Sequence, residues 1–326
     1  MPSLKHAGLY GLIACAAIAI VAAYAAILQH GNPPASEPSE TARCSHTMRW
    51  GEGKVRKFTL KTVSGQRVYY VHLPYGYSTS QKYPLIMAFT GKNMSIKYLE
   101  KVSGLNNLPA IIVYPQAYKN SKGVYAWQGA PYSPAVDDID FVNKTLNAVD
   151  QDLCVEADRV YSIGISNGGG MSWLVSCQLS DKFAAFVMLS GAFYYPESRC
   201  NPTRPTPILN IHGTLDKVVP YQGSRFRHLP HVDDWIKQRA RKNHCVDPHP
   251  QVAYYEPATK VTIWSDCEDD AEVENVELFL SHHEWPTDVG SPLDISDGTE
   301  WPLESQTKIK TTSYIWDFLS DYTLHK

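Results

Sequence analysis

The chain has 326 residues, a formal net charge of −3 at pH 7 and 44% hydrophobic residues. With this net charge, nothing in the composition suggests nucleic-acid binding, and no nucleic-acid partner is expected. The length suffices for one large α/β domain with a full core, and the sequence contains no internal repeat that would indicate a second domain.

The N-terminal segment predicts export from the cytosol. An uncharged apolar run from Ala7 to Leu28 precedes a stretch rich in Pro, Ser and Glu. Small residues at Ala23-Tyr24-Ala25 suit signal peptidase, but the run is also long enough to stay as a membrane anchor. Residues 1–30 are therefore predicted to be a signal peptide or signal anchor, 31–43 a disordered linker and 44–326 the folded domain. We expect a secreted protein, or alternatively a single-pass anchor with a lumenal or extracellular domain.

Strand and helix patterns alternate along the folded domain. A hairpin is predicted around Ser64-Gly65, with arms at 57–63 and 66–73. The remaining predicted strands are 84–89, 110–114, 159–165, 184–189, 207–211 and 276–280, and the predicted helices are 137–152, 167–179, 232–242 and 312–322. Such alternation predicts the α/β class, with a mostly parallel sheet wrapped by helices.

The run Gly164-Ile165-Ser166-Asn167-Gly168 lies between a predicted buried strand and a predicted helix. A G-x-S-x-G pattern at such a junction is typical of a nucleophile elbow, a sharp turn that presents a serine hydroxyl to substrate. Two backbone segments approach each other closely there, so the flanking residues must be small, as Gly168 to Gly170 are. The alternative is a glycine-rich turn without chemistry, because five-residue patterns recur by chance.

A nucleophilic serine needs a general base, and the base needs an orienting acid. In α/β-hydrolases these residues follow the chain order Ser, Asp or Glu, His. Asp216 follows one predicted apolar strand, and His282 and His283 follow a later one. The carboxyl ends of parallel strands carry the ligand-binding groups of open sheets. The sequence therefore predicts a triad of Ser166, Asp216 and one of the two histidines.

Each partner also has a simpler interpretation. Asp216 can be an ordinary loop carboxylate, and His212 can be a core histidine hydrogen-bonded under the same loop. His282-His283-Glu284 can suggest a metal site, but adjacent histidines alternate in direction and no further ligands stand at metal spacing. No metal and no cofactor are therefore expected.

Three motifs together resemble the secreted polyhydroxybutyrate-depolymerase/feruloyl-esterase family, which is carbohydrate esterase family one in the broad sense. They are Gly164 to Gly169, His212 to Asp216 and His283 to Pro286. The likeness extends over roughly Cys44 to Pro286. Within the family, the chain is most similar to fungal-type feruloyl esterases. Supporting segments are 127–132, 136–141, 153–155 and 158–161. The resemblance implies an α/β-hydrolase with a central, mostly parallel sheet flanked by helices.

The resemblance also assigns roles to the triad candidates. It implies Ser166 as the nucleophile, Asp216 as the acid and His283 as the base, because the histidine of the family precedes x-Trp-Pro. One departure is His282, which stands where the family often has glycine.

A second departure concerns the oxyanion hole. The family often has His-Gly after the first central strand, whereas this chain has Thr90-Gly91. Oxyanion holes of this fold use backbone N–H groups, one from this loop and one from the residue after the nucleophile. Since backbone donors tolerate side-chain changes, Thr90 and Asn167 are predicted to supply them.

By resemblance, the expected activity is release of hydroxycinnamates from plant cell-wall arabinoxylan through an acyl-enzyme. The expected partners are plant cell-wall polysaccharide esters or small esters, and a monomer is expected. Acetylxylan esterase and polyhydroxybutyrate depolymerase are alternative activities. An inactive cell-wall-binding protein is an alternative from another class, and a serine protease on the same fold is a further one.

Two tryptophans near the motifs, Trp127 and Trp285, are candidates for substrate contact, because clefts for sugars and phenols use flat apolar faces. For Trp285, structural support of the histidine loop is the favoured alternative. Asn93 and Asn143 begin N-x-[ST] sequons and are candidate glycosylation sites in a eukaryotic host.

Six cysteines follow the apolar N-terminal run, which itself contains Cys15. In an exported chain this even number predicts up to three disulfides, with fifteen possible pairings. The resemblance implies Cys245–Cys267, and the remaining expected pairs are Cys44–Cys154 and Cys177–Cys200. The alternative is that one pair stays reduced and buried.

Overall fold

The computed structural model describes residues 53–246, 250–255, 258–286 and 310–324. The predicted signal or anchor segment, the linker and Cys44 lie outside these ranges. In the part of the chain that is described, no helix is long and apolar enough to span a bilayer.

A ten-stranded sheet forms the centre of the fold. Its strands and those of a small separate hairpin are β1 (Val55–Thr62), β2 (Gly65–His72), β3 (Tyr83–Phe89), β4 (Ile111–Pro115), β5 (Tyr118–Lys119), β6 (Tyr125–Ala126), β7 (Val155–Ile165), β8 (Ala185–Leu189), β9 (Ile208–Gly213), β10 (Gln251–Tyr255), β11 (Thr259–Trp264) and β12 (Val273–Leu278). The order is β1-β2-β4-β3-β7-β8-β9-β12-β11-β10, and β5 pairs only with β6. The six strands from β4 to β12 are parallel, while antiparallel pairs close both ends.

Helices cover both faces of the sheet. The α-helices are α1 (Ile96–Ser103), α2 (Asp138–Asp152), α3 (Asn167–Gln178), α4 (Val232–Lys242) and α5 (Thr311–Ser320). Strand side chains alternate between faces, so β3 sends Leu85, Met87 and Phe89 into one core and Ile86 and Ala88 into the other. The apolar sides of α2, α3 and α4 belong to the first core, and those of α1 and α5 belong to the second. The result is a three-layer α/β/α architecture.

The predicted fold class is confirmed, and most predicted elements lie within a few residues of the observed ones. Five elements were missed, which are helix α1, the two-residue strands β5 and β6, and the strands β10 and β11. Helix α1 is short, and β10 and β11 extend the sheet as an antiparallel pair beyond β12. Four of the five residues of β10 are exposed, so this strand has no buried face although its residues from Val252 to Tyr255 are hydrophobic.

Two of the three expected disulfides are present, Cys177–Cys200 and Cys245–Cys267. Cys177 lies in the last turn of α3, and Cys245 follows the end of α4. Both disulfides therefore connect the end of a helix to a loop. The third expected pair, Cys44–Cys154, involves a residue outside the described ranges.

Candidate active site

Ser166 lies at the junction of β7 and α3, with a φ of 58° and a ψ of −122°. This positive φ is uncommon for a residue with a side chain and is typical of strained functional turns. The chain crosses itself tightly there: a Cβ on Gly164 would collide with Gly168 O, and one on Gly168 would collide with Phe89 O. Because only glycine leaves this space, the sequence pattern around Ser166 follows from the geometry of the turn.

Strand order places the three predicted catalytic residues at the carboxyl-terminal end of the parallel strands. Strands β7, β8, β9 and β12 are consecutive neighbours and parallel, so their carboxyl ends lie side by side. Ser166 follows β7, Asp216 follows β9, and His283 follows β12. All three are buried, with 8%, 4% and 3% of their surfaces exposed.

Asp216 and His283 form a direct pair. His283 Nδ1 donates to Asp216 Oδ2 at 2.7 Å, while His282 is not part of this contact. The preference for His283 over His282 as the partner of Asp216 therefore agrees with the geometry. With Nδ1 engaged as a donor, His283 Nε2 carries the lone pair that a general base needs.

The other oxygen of Asp216 is held by its own loop. The N–H groups of Val218 and Val219 donate to Oδ1 at 2.8 and 2.7 Å. Burial by itself raises the pKa of Asp216, but hydrogen bonds from His212 and His283 outweigh it and hold this pKa well below its ordinary range. Asp216 is therefore a carboxylate near neutral pH.

His212 makes a second contact with Asp216, in addition to the core-histidine role that the sequence predicts. It is fully buried, its Nε2 donates to Val219 O at 2.8 Å, and the same nitrogen lies 3.3 Å from Asp216 Oδ2. Its position four residues before Asp216, within the same motif, was the available signal.

The predicted oxyanion donors lie next to Ser166. A Cβ on Gly91 would be 3.2 Å from Ser166 Cβ, which places the Thr90-Gly91 loop against the nucleophile. Asn167 begins α3, and the first N–H groups of a helix have no intrahelical acceptor. Ser166 Oγ makes no hydrogen bond to the described residues, and catalytic hydrogen bonds are often long without substrate.

Trp127 has a structural position that the sequence did not predict. Its ring is fully buried. Its backbone N–H donates to Asn167 Oδ1 at 2.7 Å, and its indole Nε1 donates to Thr90 O at 2.9 Å. A ring with no exposed surface has no face for substrate, so the predicted substrate contact of Trp127 is replaced by a clamp between Thr90 and Asn167. Trp285 is 4% exposed and packs in the second core, in agreement with structural support of the histidine loop.

The two sequon asparagines differ in setting. Asn93 is exposed, and its Oδ1 accepts from Tyr125 N at 2.9 Å. Asn143 is half-buried on α2, and its Oδ1 accepts from Lys182 Nζ at 2.5 Å. Their glycosylation stays a prediction.

Comparison with known proteins agrees with this architecture. Residues 137–244 match the family model described as phospholipase/carboxylesterase. Feruloyl esterase B of Piromyces equi is 32% identical over 163 residues, which are 47% of this chain and 30% of that protein. Feruloyl esterase C of Emericella nidulans is 29% identical over 171 residues, 48% of this chain and 57% of that protein. The matches thus cover only part of the length of these curated relatives.

Solved structures share the fold. The acetyl xylan esterase from Aspergillus awamori superposes with a TM-score of 0.59 at 14% identity, covering 82% of this chain and 99% of that one. A mutant feruloyl esterase module from Clostridium thermocellum, complexed with sinapinate, gives 0.54 at 16% identity, covering 84% and 89%. At such identities the likeness concerns the fold alone. The resemblance to feruloyl esterases drawn from the sequence motifs is confirmed by the curated relatives.

Proposed function

Starting from an α/β-hydrolase of the phospholipase/carboxylesterase type, we propose that this chain hydrolyses carboxylic esters through an acyl-enzyme on Ser166. The observation that carries the proposal is the 2.7 Å contact between His283 Nδ1 and Asp216. It lies at the carboxyl ends of the parallel strands, where Ser166 has a positive φ. A histidine oriented by a buried carboxylate beside a strained serine is the arrangement that acyl transfer needs.

The proposed reaction has two halves. His283 Nε2 takes the Ser166 proton while Oγ attacks the ester carbonyl, and the backbone N–H groups of Thr90 and Asn167 stabilise the oxyanion. The imidazolium then gives its proton to the leaving alcohol, which departs and leaves the acyl group on Ser166. Water, deprotonated by His283, attacks the acyl-enzyme carbonyl; the bond to Ser166 Oγ then breaks, His283 returns the proton to Oγ, and the acid is released. Throughout, Asp216 orients His283 and stabilises its charged form.

For the ester, we propose a hydroxycinnamoyl group on plant cell-wall arabinoxylan. Support comes from the names of the relatives in Piromyces equi and Emericella nidulans, which are feruloyl esterases. Acetylated xylan is the second candidate, because a bifunctional acetylxylan esterase/xylanase of Neocallimastix patriciarum matches 74% of this chain at 23% identity. Polyhydroxybutyrate is a third substrate to include.

The test is a panel of methyl ferulate, methyl caffeate, acetylated xylan and polyhydroxybutyrate, with Ser166→Ala as the matched control. We expect methyl ferulate to be the best substrate and Ser166→Ala to lower its turnover by about a thousandfold or more. Near-normal turnover by Ser166→Ala contradicts the mechanism, and a clear preference for acetyl groups or the polyester contradicts the substrate.

The non-enzymatic alternative, an inactive cell-wall-binding protein, is separated by a fluorophosphonate probe. Such probes label only serines that are activated as nucleophiles. Labelling of the native chain that disappears in Ser166→Ala eliminates the binder, and a native chain that takes no label favours it. Cleavage of casein would instead favour the protease alternative.

We also propose that the enzyme works outside the cytosol. The disulfides Cys177–Cys200 and Cys245–Cys267 support this location, because such bonds persist mainly in oxidising compartments. Expression in a secretory host followed by N-terminal sequencing tests it. A start shortly after Ala25 indicates a cleaved signal, an intact N-terminus in the membrane fraction indicates an anchor, and retention in the cytosol contradicts the proposal.

A further inference from the structure

The loop from Ser224 to Leu229 is closed on itself and takes no part in the proposed chemistry. It contains the short 3₁₀ helix Arg225–Arg227. Its ends pair through backbone hydrogen bonds, from Ser224 N to Leu229 O at 2.9 Å and from Leu229 N to Ser224 O at 3.0 Å. The preceding Gly223 has a φ of +73°, and a Cβ there would lie 2.6 Å from Pro230 C. The base of the loop is therefore tightly folded.

This loop is fixed close to the proposed active site. Leu229 is buried in a small apolar cluster with Ala192 and Val219. Ala192 N donates to Ser166 O at 2.9 Å. Val219 N donates to Asp216 Oδ1 at 2.7 Å. The residues that hold the loop in place are thus the same residues that bind the nucleophile and the acid.

The tip of the loop is open to solvent. Phe226 is 100% exposed, and its neighbours Arg225, Arg227 and His228 are exposed as well. Neither arginine side chain forms a hydrogen bond or an ion pair with any residue that the structure describes. An accessible aromatic ring between two free guanidinium groups offers one ligand both an apolar face and charged donors.

The segment around this loop is basic, although the whole chain has a net charge of −3. Between Lys217, which directly follows Asp216, and His231 the sequence contains no aspartate or glutamate. Its lysine and arginine residues are Lys217, Arg225 and Arg227, and all three are exposed. A local excess of positive charge beside the active site attracts anionic ligands.

A further cation near the active site lies on a different loop. Lys92 stands two residues after Thr90 of the proposed oxyanion hole, and its ammonium is 4.6 Å from the centre of the Tyr132 ring. Burial and the neighbouring Tyr194 raise the pKa of the Tyr132 phenol, whereas the positive charge of Arg227 lowers it. Lys92 and Arg227 are therefore both near Tyr132, and an anionic group bound there is attracted by both.

The chemistry of a uronic-acid residue matches these groups. Its carboxylate accepts the paired N–H groups of a guanidinium, and its ring has an apolar C–H face that packs on an aromatic side chain. An anionic membrane also combines charge with apolar surface. The position of Lys92 and Arg227 near Tyr132, next to the proposed oxyanion loop, favours a polymer that already has its ester at Ser166.

We propose that Arg225, Phe226 and Arg227 form a uronate site, which binds an acidic sugar residue of the polysaccharide that carries the ester. Esters on acidic polysaccharides are then preferred over esters on neutral ones. This inference rests on the proposed esterase function for its substrate, but binding of the acidic sugar does not require hydrolysis. Phe226 packs against the sugar ring, the guanidinium groups bind the carboxylate, and Lys92 adds to the attraction.

Direct binding is the first experiment. Full-length Ser166→Ala protein is titrated by calorimetry with an ester-free xylo-oligosaccharide that carries one glucuronic-acid branch, and with the same oligosaccharide without the branch. The acidic ligand is expected to bind about three- to tenfold more tightly, the effect of two exposed charge pairs. In about 1 M NaCl, where the Debye length is about 3 Å, this difference is expected to disappear.

Variants of the loop assign the effect to named side chains. Arg225→Gln together with Arg227→Gln, again in Ser166→Ala, is expected to remove the preference for the acidic ligand. The matched control is Lys57→Gln together with Lys61→Gln, which also lowers the charge by two at exposed positions but lies on the edge strand β1. The control pair is expected to keep the preference. Phe226→Ala is expected to weaken binding of both oligosaccharides by about two- to fivefold, because apolar contact does not distinguish charge.

Kinetics is the second experiment, in the chain with native Ser166. For a feruloylated oligosaccharide that carries the glucuronic-acid branch, the double arginine variant is expected to raise KM by about three- to tenfold relative to KM for methyl ferulate. Equal affinity of Ser166→Ala for the acidic and neutral oligosaccharides overturns the inference, and so does an equal loss in the lysine control pair. Binding to phosphatidylserine–phosphatidylcholine vesicles that depends on Phe226, without a preference for the acidic oligosaccharide, overturns it in favour of a membrane-binding loop.

The two proposals fail separately. A chain that hydrolyses methyl ferulate but has no preference for the acidic oligosaccharide keeps the esterase function and loses the uronate site. A chain that hydrolyses no ester but binds the acidic oligosaccharide through Arg225 and Arg227 keeps the uronate site and loses the esterase function.

Discussion

His212 and His283 approach the same oxygen of one carboxylate. Asp216 Oδ2 lies 3.3 Å from His212 Nε2 and 2.7 Å from His283 Nδ1. The shorter contact orients the proposed base, and the longer one comes from a side chain that is fully buried and also donates to Val219 O. His212 thus limits how Asp216 can turn, which makes it a positioning residue for the triad.

His212→Phe is expected to lower kcat for ester hydrolysis by roughly 10- to 100-fold, the effect of a lost hydrogen bond to a charged group. KM stays unchanged, because His212 acts through Asp216 and not on substrate. The control is His72→Phe, another buried histidine, which lies on β2 and has no contact with the triad. Steady-state kinetics at one pH decides the matter, and equal losses of kcat in both variants contradict a positioning role.

Gly213 leaves room for the loop that carries His283. A Cβ at this position would collide with Ser281 O and lie 2.5 Å from His282 O. Gly213→Ala is therefore expected to displace His283 and to reduce kcat/KM by at least about 100-fold, since small misplacements of catalytic groups have effects of this size.

The control for Gly213→Ala is Gly65→Ala in the β1–β2 hairpin, where φ is +102° and no atom lies within 4 Å of the added Cβ. That change strains the backbone and lowers the free energy of unfolding by about 1–2 kcal/mol, with kcat/KM unchanged. Urea unfolding and methyl ferulate kinetics measure both quantities. Normal activity in Gly213→Ala would show that the loop from Ser281 to His283 accommodates the added methyl group without displacing His283.

The side chain of Asn167 holds the Trp127 backbone, while its own backbone N–H is one of the two proposed oxyanion donors. Asn167→Ala removes the acceptor of the 2.7 Å hydrogen bond from Trp127 N and leaves that donor buried. The free energy of unfolding is expected to fall by about 1–3 kcal/mol, and kcat to fall more than 1/KM, because the Thr90 loop loses its clamp.

Asn106→Ala is the matched control for Asn167→Ala. Asn106 accepts from Tyr114 Oη at 2.8 Å, away from the site, so its loss also lowers stability. Its kcat should remain normal at temperatures well below unfolding. A normal kcat in Asn167→Ala would exclude the clamp from catalysis and leave it a purely structural contact.

Glu274 makes stability depend on pH near neutrality. This side chain is 5% exposed on β12, and burial raises its pKa from 4.5 to about 7, against a hydrogen bond from Tyr314 Oη on α5. Between pH 4.5 and 7 the folded protein binds a proton that the unfolded chain has released, so the free energy of unfolding falls as pH rises through this window.

Glu274→Gln should remove this dependence. We expect the free energy of unfolding of the native chain to decrease by about 1–3 kcal/mol from pH 5 to pH 7.5 relative to Glu274→Gln. Denaturant unfolding at both pH values measures it. Tyr314→Phe provides a second check, because loss of the phenol donor should raise the pKa further and steepen the fall. Parallel curves for the native chain and Glu274→Gln contradict the assignment.

Local sequence was sufficient for the elbow and for most of the sheet. The Gly164–Gly168 pattern is dictated by a turn in which only glycine fits, and such a constraint is visible in five consecutive residues. Buried parallel strands are likewise visible as short apolar runs, whereas β10 has mostly exposed residues and was missed. The chain order of Ser166, Asp216 and the histidine pair was also readable, because each follows a predicted strand.

Only the tertiary structure showed which of the predicted residues contact one another. That His283 and not His282 meets Asp216, and that Trp127 is a buried clamp, depend on contacts between residues far apart in the chain. His212 is only four residues from Asp216, but its approach to the same oxygen depends on how the loop between them folds. Periodicity reports which side of an element is buried, but it carries no information about which buried groups face one another. The sequence by itself therefore determined the fold class and the residue types of the proposed chemistry. Only the placement of β7, β8, β9 and β12 as consecutive neighbours in the sheet determined which atoms meet.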